Sequence, residues 1–273
     1  MKIHTPIASL SIAAISLFVI GCTQTRISSF VAEVSEAPEV HGFNTYQEPH
    51  TTAIRVSGML NFDSKEDVNV DAKHQDWADS KTNENHYQVT TINTRGVYKI
   101  GGIDVEGKLD FLAKAGLATI GFGIGINDGI YHHLTLGINS RYLDIGAFAG
   151  LYHHHGNLKY NGSECSTITT CDPEDWDGFH GDKTEYKISF LGGFYAGLIL
   201  GDAFFNYSLS TYTPNIDAHG EGLTVPTIYS HYFTLGYRIN RYIEINGGTV
   251  GSYIEDIGHW HWAGRTGLSF YWI

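Results

Sequence analysis

The stretch from Ile103 to Tyr152 constrains the fold more than any other, because apolar and polar residues alternate along it in segment after segment. Its first segment places Val105, Leu109 and Phe111 on one face of a strand and charged residues on the other face. Two is the side-chain period of a β-strand, so each segment predicts a strand with one apolar and one polar face. Tight turns separate the segments, and Asn127-Asp128-Gly129 is a strong hairpin signal.

The same alternation recurs over most of the chain after about residue 50. Segments of about ten alternating residues between turns are typical of transmembrane β-barrels. The final residues, Phe270-Tyr271-Trp272-Ile273, resemble the C-terminal strand of outer-membrane barrels. We therefore predict an all-β fold over residues 50–273: an antiparallel transmembrane β-barrel of 10 or 12 strands, with short turns on one side and longer polar loops on the other. A soluble barrel or sandwich with its apolar face inward is the alternative.

Composition narrows the class of protein further. The chain has 273 residues, of which 17% are charged, and its formal net charge is −12. This charge argues against a nucleic-acid partner, which calls for a basic face. After the first 21 positions no run of 18 apolar residues occurs, so a membrane would be crossed by strands and not by helices.

The N-terminus has the features of an export and anchoring signal. Lys2 precedes an apolar stretch over residues 7–20, and Val19-Ile20-Gly21-Cys22 resembles the lipobox of bacterial lipoproteins. The resemblance implies that residues 1–21 are a signal peptide and that Cys22 carries acyl chains such as palmitate, which anchor the protein in the bacterial outer membrane. An ordinary signal peptide with a chance cysteine is the alternative. Residues 22–49 alternate little and are interpreted as a lipidated tether.

The polar strand faces predict the content of the barrel interior. Six acids against five bases would nearly balance there, which favours a filled lumen over a selective pore. The predicted lumen charge network consists of Arg55, Asp104, Glu106, Lys108, Asp110, Asp144, Glu185, Lys187, Arg238, Glu244 and Arg265. In the second long loop, Cys165 and Cys171 are predicted to form a disulfide, because an exported chain meets an oxidising compartment.

Histidines supply two candidate sites. His154, His259 and His261 face inward near one rim and predict a Zn²⁺, Ni²⁺ or Cu²⁺ site, although histidine is also common in polar rims without a metal. His231 lies on the lipid face beside a strand that carries Ser208 and Ser210. Those serines face inward, so a lipid-modifying hydrolase of the Ser-His type lacks its nucleophile.

These observations predict a function only at the level of a class. We expect a lipid-anchored outer-membrane barrel of structural, surface-interaction or narrow-pore type, without catalytic residues or cofactors. The alternatives are an outer-membrane lipid-modifying hydrolase and a metal-binding uptake barrel with a His-rich rim. The expected partner is outer-membrane lipid, and any small solute or surface partner stays unidentified.

Overall fold

The computed structural model describes residues 22–79, 87–167, 171, 173–255 and 257–273, so the predicted signal peptide lies outside the described residues. The described chain is all-β apart from a single 3₁₀ turn at Pro173–Asp175. No helix among these residues is long and apolar enough to cross a membrane. The strands are β1 Cys22–Glu33, β2 Thr52–Phe62, β3 Glu66–Asp79, β4 Tyr87–Ile100, β5 Ile103–Ala115, β6 Ala118–Ile126, β7 Gly129–Asn139, β8 Leu143–Thr167, β9 Asp177–Leu200, β10 Ala203–Tyr212, β11 Ile216–Ala218, β12 Glu221–Leu223, β13 Ile228–Asn240, β14 Ile243–Ile254 and β15 His259–Trp272.

Ten strands close into an antiparallel barrel in the order β8-β7-β6-β5-β2-β15-β14-β13-β10-β9, and β9 pairs again with β8. The tight turns 116–117, 140–142, 201–202 and 241–242 lie at one end, called here the short-turn end. The connections 63–102, 168–176, 213–227 and 255–258 lie at the other, the long-loop end. The predicted antiparallel barrel is confirmed, with ten strands and not twelve. The segment Tyr87–Ile100 looks like a barrel strand in the sequence, but it pairs outside the barrel. It therefore makes the number of barrel strands hard to count from the sequence alone.

Apolar side chains face outward from this barrel. Ile103, Val105 and Leu200 are each more than two-thirds exposed to the surroundings, whereas Ser208 and Glu244 on the inner face are fully buried. Water would penalise such an apolar surface, whereas hydrocarbon favours it, and ring closure leaves no unpaired strand edge in the apolar band. The alternation therefore encodes a lipid-facing exterior and a polar interior.

The N-terminal residues do not form the predicted tether outside the barrel. β1 pairs with the outer half of β8 at the long-loop end, in the register Cys22↔Thr167. Residues 34–47, called here the luminal segment, then run down the inside of the barrel to its short-turn end. Near the top, the N–H of Ala37 donates a hydrogen bond to Ser230 Oγ at 2.9 Å. Near the bottom, the N–H of Gln47 donates to Asn139 Oδ1 at 3.1 Å.

A second layer of structure, called here the cap sheet, stands above the barrel at the long-loop end. β8 and β9, of 25 and 24 residues, extend beyond the other barrel strands, and the sheet continues as β9-β8-β1-β4-β3. The hairpin β11–β12 reaches the edge strand β3, where the backbones of Lys73 and Thr224 exchange two hydrogen bonds. Buried Phe30, Val70 and Tyr98 form part of its apolar core. The predicted disulfide, Cys165–Cys171, lies at the outer end of this sheet.

Candidate functional site at the long-loop end of the barrel

The lumen contains most of the predicted charge network. Arg55 donates from Nε and Nη2 to Asp110 Oδ2, at 2.9 and 2.6 Å. Lys108 Nζ and His133 Nε2 also approach the Asp110 carboxylate, at 4.0 and 3.3 Å. All four side chains are almost fully buried. Because a buried charge is costly unless it is paired, this cluster fixes β2, β5 and β7 relative to one another.

A second group of buried charges surrounds Arg265. Its Nη2 lies 3.0 Å from Glu39 Oε2 and 3.4 Å from Glu106 Oε2, and its guanidinium lies over the ring of Tyr232. Tyr131 Oη donates to Glu106 at 2.5 Å. Glu39 belongs to the luminal segment, so this group joins that segment to β5 and β15.

The lower lumen contains three more of the predicted charges. Glu244 accepts from Asn44 Nδ2 at 2.8 Å and from Tyr271 Oη at 3.1 Å. Asp144 accepts from the backbone N–H of Asn44 at 3.2 Å. The Arg238 guanidinium lies over the ring of Tyr271. The luminal segment is thus bound along its length by side chains of the barrel wall.

Two members of the predicted network lie elsewhere, and the position of a third is not described. Lys187 is outside the lumen and pairs with Asp217 of the β11–β12 hairpin at 3.2 Å. Asp104 lies at the mouth of the barrel and lines a cavity. The side chain of Glu185 is outside the described residues. The prediction also missed Glu36, Glu39 and His41, because nothing in their spacing distinguishes a luminal segment from a tether.

The cavity at the long-loop mouth, called here the rim cavity, has a volume of about 510 Å³. It opens to solvent between the barrel and the cap sheet. Its lining combines carboxylates, lysines and imidazoles with few large apolar groups. The ionisable residues of the lining are Glu33, Lys65, Asp67, Lys99, Asp104, Asp128, His154 and His155. Four acids and two lysines leave the cavity with an excess of negative charge when its histidines are neutral.

Asp128 occupies a special position in this cavity. It lies in the β6–β7 turn with φ of 44°, in the left-handed region, which aspartate tolerates better than most residues. Its carbonyl oxygen accepts a hydrogen bond from the N–H of His155 at 3.2 Å. Burial of its carboxyl group, together with the negative charges of Asp104 and Glu33, raises the pKa of Asp128 above the ordinary aspartate value. A proton is therefore retained on Asp128 to higher pH than on a free aspartic acid.

The predicted metal ligands separate into two places. His154 lines the rim cavity, whereas His259 and His261 contact acids at the start of the cap. His261 lies between two carboxylates: Nδ1 is 3.0 Å from Glu66 Oε2, and Nε2 contacts Asp63. The hydrogen bond from His261 lowers the pKa of Glu66. Among the described residues, no group of three or more His, Cys, Asp or Glu side chains is placed to hold a metal ion.

The lipid-face histidine, His231, has a tyrosine but no serine nucleophile beside it among the residues that the structure describes. Tyr207 Oη and His231 Nδ1 are 2.8 Å apart. Ser208 and Ser210 are fully buried inside the barrel, and Ser208 Oγ donates to the backbone oxygen of Val40 at 2.8 Å. The strand alternation that the sequence predicts thus keeps these hydroxyls on the opposite side of the barrel wall from His231.

The fold and this distribution of polar groups define an outer-membrane β-barrel protein. No protein-family model matches the chain, and no curated protein matches its sequence. Among solved structures, the outer membrane protease OmpT from Escherichia coli is similar, with a TM-score of 0.32 and 10% identity over 80% of this chain and 94% of that chain. A similarity with this TM-score is not evidence about activity. That structure is an enzyme, whereas the sequence led us to expect a non-catalytic barrel of structural, surface-interaction or narrow-pore type, and we do not retain that expectation.

Proposed function

We propose that this barrel is a hydrolase and that the rim cavity is its active site. The observation that carries the proposal is the presence of Asp104, Asp128 and two histidines in one solvent-open cavity. A pair of interacting carboxyl groups is a common means of dividing acid and base roles. The luminal segment fills the barrel below the cavity, so chemistry is better placed at the mouth than in the lumen.

We assign complementary roles to the two carboxyl groups. Asp104, on which the charge of Lys65 acts, is assigned as the general base that takes a proton from water. The water oxygen then attacks a substrate carbonyl carbon. Asp128, which keeps its proton, donates it to the leaving group as the bond to the carbonyl carbon breaks. His155 is the polar neighbour that can return the proton to Asp128.

The position of the cavity favours a water-soluble substrate. It opens toward the long-loop end between barrel and cap sheet, and its lining is mainly polar. The lipid face offers His231 and Tyr207 but no nucleophile among its described neighbours. We therefore assign amide or ester bonds of soluble molecules, and not membrane lipids, as the substrate class.

Replacing Asp128 with asparagine is expected to lower hydrolysis by about 10²–10⁴-fold, the usual contribution of a general acid or base. The measurement is turnover of fluorogenic peptide and ester panels by the purified protein in detergent. Because the acid must carry its proton, wild-type turnover should fall as pH rises through the elevated pKa of Asp128. Asp182→Asn is the matched control, since Asp182 forms an exposed pair with Lys159. Equal turnover in Asp128→Asn and wild type would contradict the proposal.

We also propose that Cys22 is the lipid attachment site and that residues 1–21 are removed as a signal peptide. The lipobox-like Val19-Ile20-Gly21-Cys22 supports this. Cys22 pairs with Thr167 of β8. Between Leu151 and Thr167, β8 extends roughly 50 Å at about 3.3 Å per residue. One leaflet of hydrocarbon is only about 15 Å thick. Insertion of the acyl chains therefore requires β1 to detach from β8, at least at its first residues.

Replacing Cys22 with serine is expected to abolish labelling of the protein by a clickable fatty acid in cells. The barrel should still insert into the membrane, because its strands do not depend on the anchor. Cys165→Ser with Cys171→Ser is the control for nonspecific loss of thiols and should retain the label. Undiminished labelling of Cys22→Ser would show that the lipobox-like sequence is not used.

A further inference from the structure

The boundary between the lumen and the rim cavity contains buried polar atoms that have no hydrogen-bond partner in the described part of the chain. Asn61 and Asn127 are almost completely buried, and neither their amide oxygens nor their amide nitrogens have a partner among the described residues. Glu36 is equally buried, and its Oε2 likewise has no hydrogen-bond partner within the described chain. Leaving a buried polar group unsatisfied lowers the stability of the folded protein. Such groups in one region therefore indicate a bound polar ligand.

These residues come from three elements that meet at the top of the lumen. Asn61 of β2 pairs directly with Asp104 of β5, and both point inward. The charge of Asp104 acts on Glu36 of the luminal segment. Tyr152 Oη joins Ser35 and Asn127, at 2.7 Å from Ser35 Oγ and 2.6 Å from the Asn127 carbonyl oxygen. The unpartnered groups therefore surround the end of the luminal segment, directly below the rim cavity.

The charge of this region selects the kind of ligand. Arg265, whose buried guanidinium also acts on Glu36, is shared by Glu39 and Glu106. Glu36 and Asp104 add two further carboxylates, and Asp128 adds a third acid close by. Lys65 at the cavity edge faces Asp104 and offsets only part of this charge. Water could satisfy the hydrogen bonds, but it would not offset the excess negative charge.

We infer that a hard divalent cation, of which Ca²⁺ is the best match, binds between the Glu36 and Asp104 carboxylates and the amide oxygens of Asn61 and Asn127. Ca²⁺ accepts carboxylate and amide oxygens in flexible arrangements of six to eight ligands, with water completing the set. This set has only two acidic ligands and no histidine. It therefore differs from a group of three or more His, Cys, Asp or Glu side chains, of which the described residues contain none placed to hold a metal ion. Binding would connect the luminal segment to β2, β5 and the β6–β7 turn.

The inference shares Asp104 with the proposed function but does not require hydrolysis, so the test measures binding and unfolding. Full-length protein in detergent is stripped with EDTA and titrated with Ca²⁺, with Mg²⁺ and Na⁺ at matched ionic strength as comparisons. We expect a saturable rise in thermal unfolding temperature with Ca²⁺. Terbium luminescence, excited through nearby tyrosines such as Tyr131 and Tyr152, should report the same site and be displaced by Ca²⁺.

Two variants decide whether the named residues form the site. Glu36→Gln and Asn61→Ala should each weaken Ca²⁺ binding at least about tenfold, since even outer-shell partners of a metal contribute that much. Asp182→Asn should bind as wild type does. No Ca²⁺-dependent shift in wild type, or the same affinity in both variants as in wild type, would overturn the inference. If Glu36→Gln does not fold, Asn61→Ala and Asn127→Ala provide the same comparison.

Discussion

Arg55→Met is expected to destabilise the barrel by about 3–5 kcal/mol, the loss observed when one partner of a buried ion pair is removed. Besides its two hydrogen bonds to Asp110, Arg55 donates from Nη1 to the Gly42 carbonyl oxygen at 2.5 Å and from Nη2 to that of His41 at 3.1 Å. The methionine would fill most of the space but leave two carbonyl oxygens and part of a carboxylate unpaired. Urea unfolding in lipid vesicles, followed by tryptophan fluorescence, measures the free energy.

The control for this prediction is Lys187→Met, which removes the ion pair with Asp217 outside the lumen. Both side chains of that pair are about 30% exposed, so we expect a loss of at most about 1 kcal/mol. The double variant Arg55→Met with Asp110→Asn should recover part of the stability, because it removes the uncompensated negative charge. An equal loss in Arg55→Met and Lys187→Met would contradict the burial of the Arg55–Asp110 pair.

Removal of the luminal segment is expected to convert a non-conducting barrel into a conducting one. Side chains alone fill a barrel of about eight strands, and ten strands enclose more space. Here the extra space holds residues 34–47, whose Val40 and Phe43 are fully buried. A chain that begins at Glu48 behind an export signal should therefore give resolved single-channel steps in planar bilayers. The full chain should give none.

A chain that begins at Val34 is the matched control, because it lacks β1 but keeps the luminal segment. It should stay closed, which separates loss of the cap strand from loss of the luminal segment. Different gel mobility of unboiled and boiled samples would verify that each variant forms a barrel. Steady currents from the full chain, or no current from the chain that begins at Glu48, would show that the luminal segment does not close the lumen.

The barrel could be predicted from the sequence because the pattern that specifies it involves only neighbouring residues. A period of two decides which side chains face lipid and which face the lumen, and that period can be read from neighbouring residues alone. Arg55, Glu106, Asp110, Asp144, Glu244 and Arg265 all lie on the inward face that alternation assigns them. Cys165 and Cys171 are also local, since a ring of this size joins residues that the chain already holds close together.

The candidate site was not predictable, because it depends on strand register and on the path of the N-terminal residues. Asp104 and Asp128 are distant in sequence, and the pairing of β5 with β6 in the register Gly107↔Ile126 brings the start of β5 and the β6–β7 turn to one mouth. Glu36 and Glu39 lie in a segment without alternation of apolar and polar residues. Such a segment fits a tether in water and a chain inside a polar lumen equally well. Local periodicity thus determined the barrel wall and its two faces. Tertiary packing alone decided that the N-terminal residues fill the barrel, because only the finished lumen offers them the buried hydrogen-bond partners that replace water.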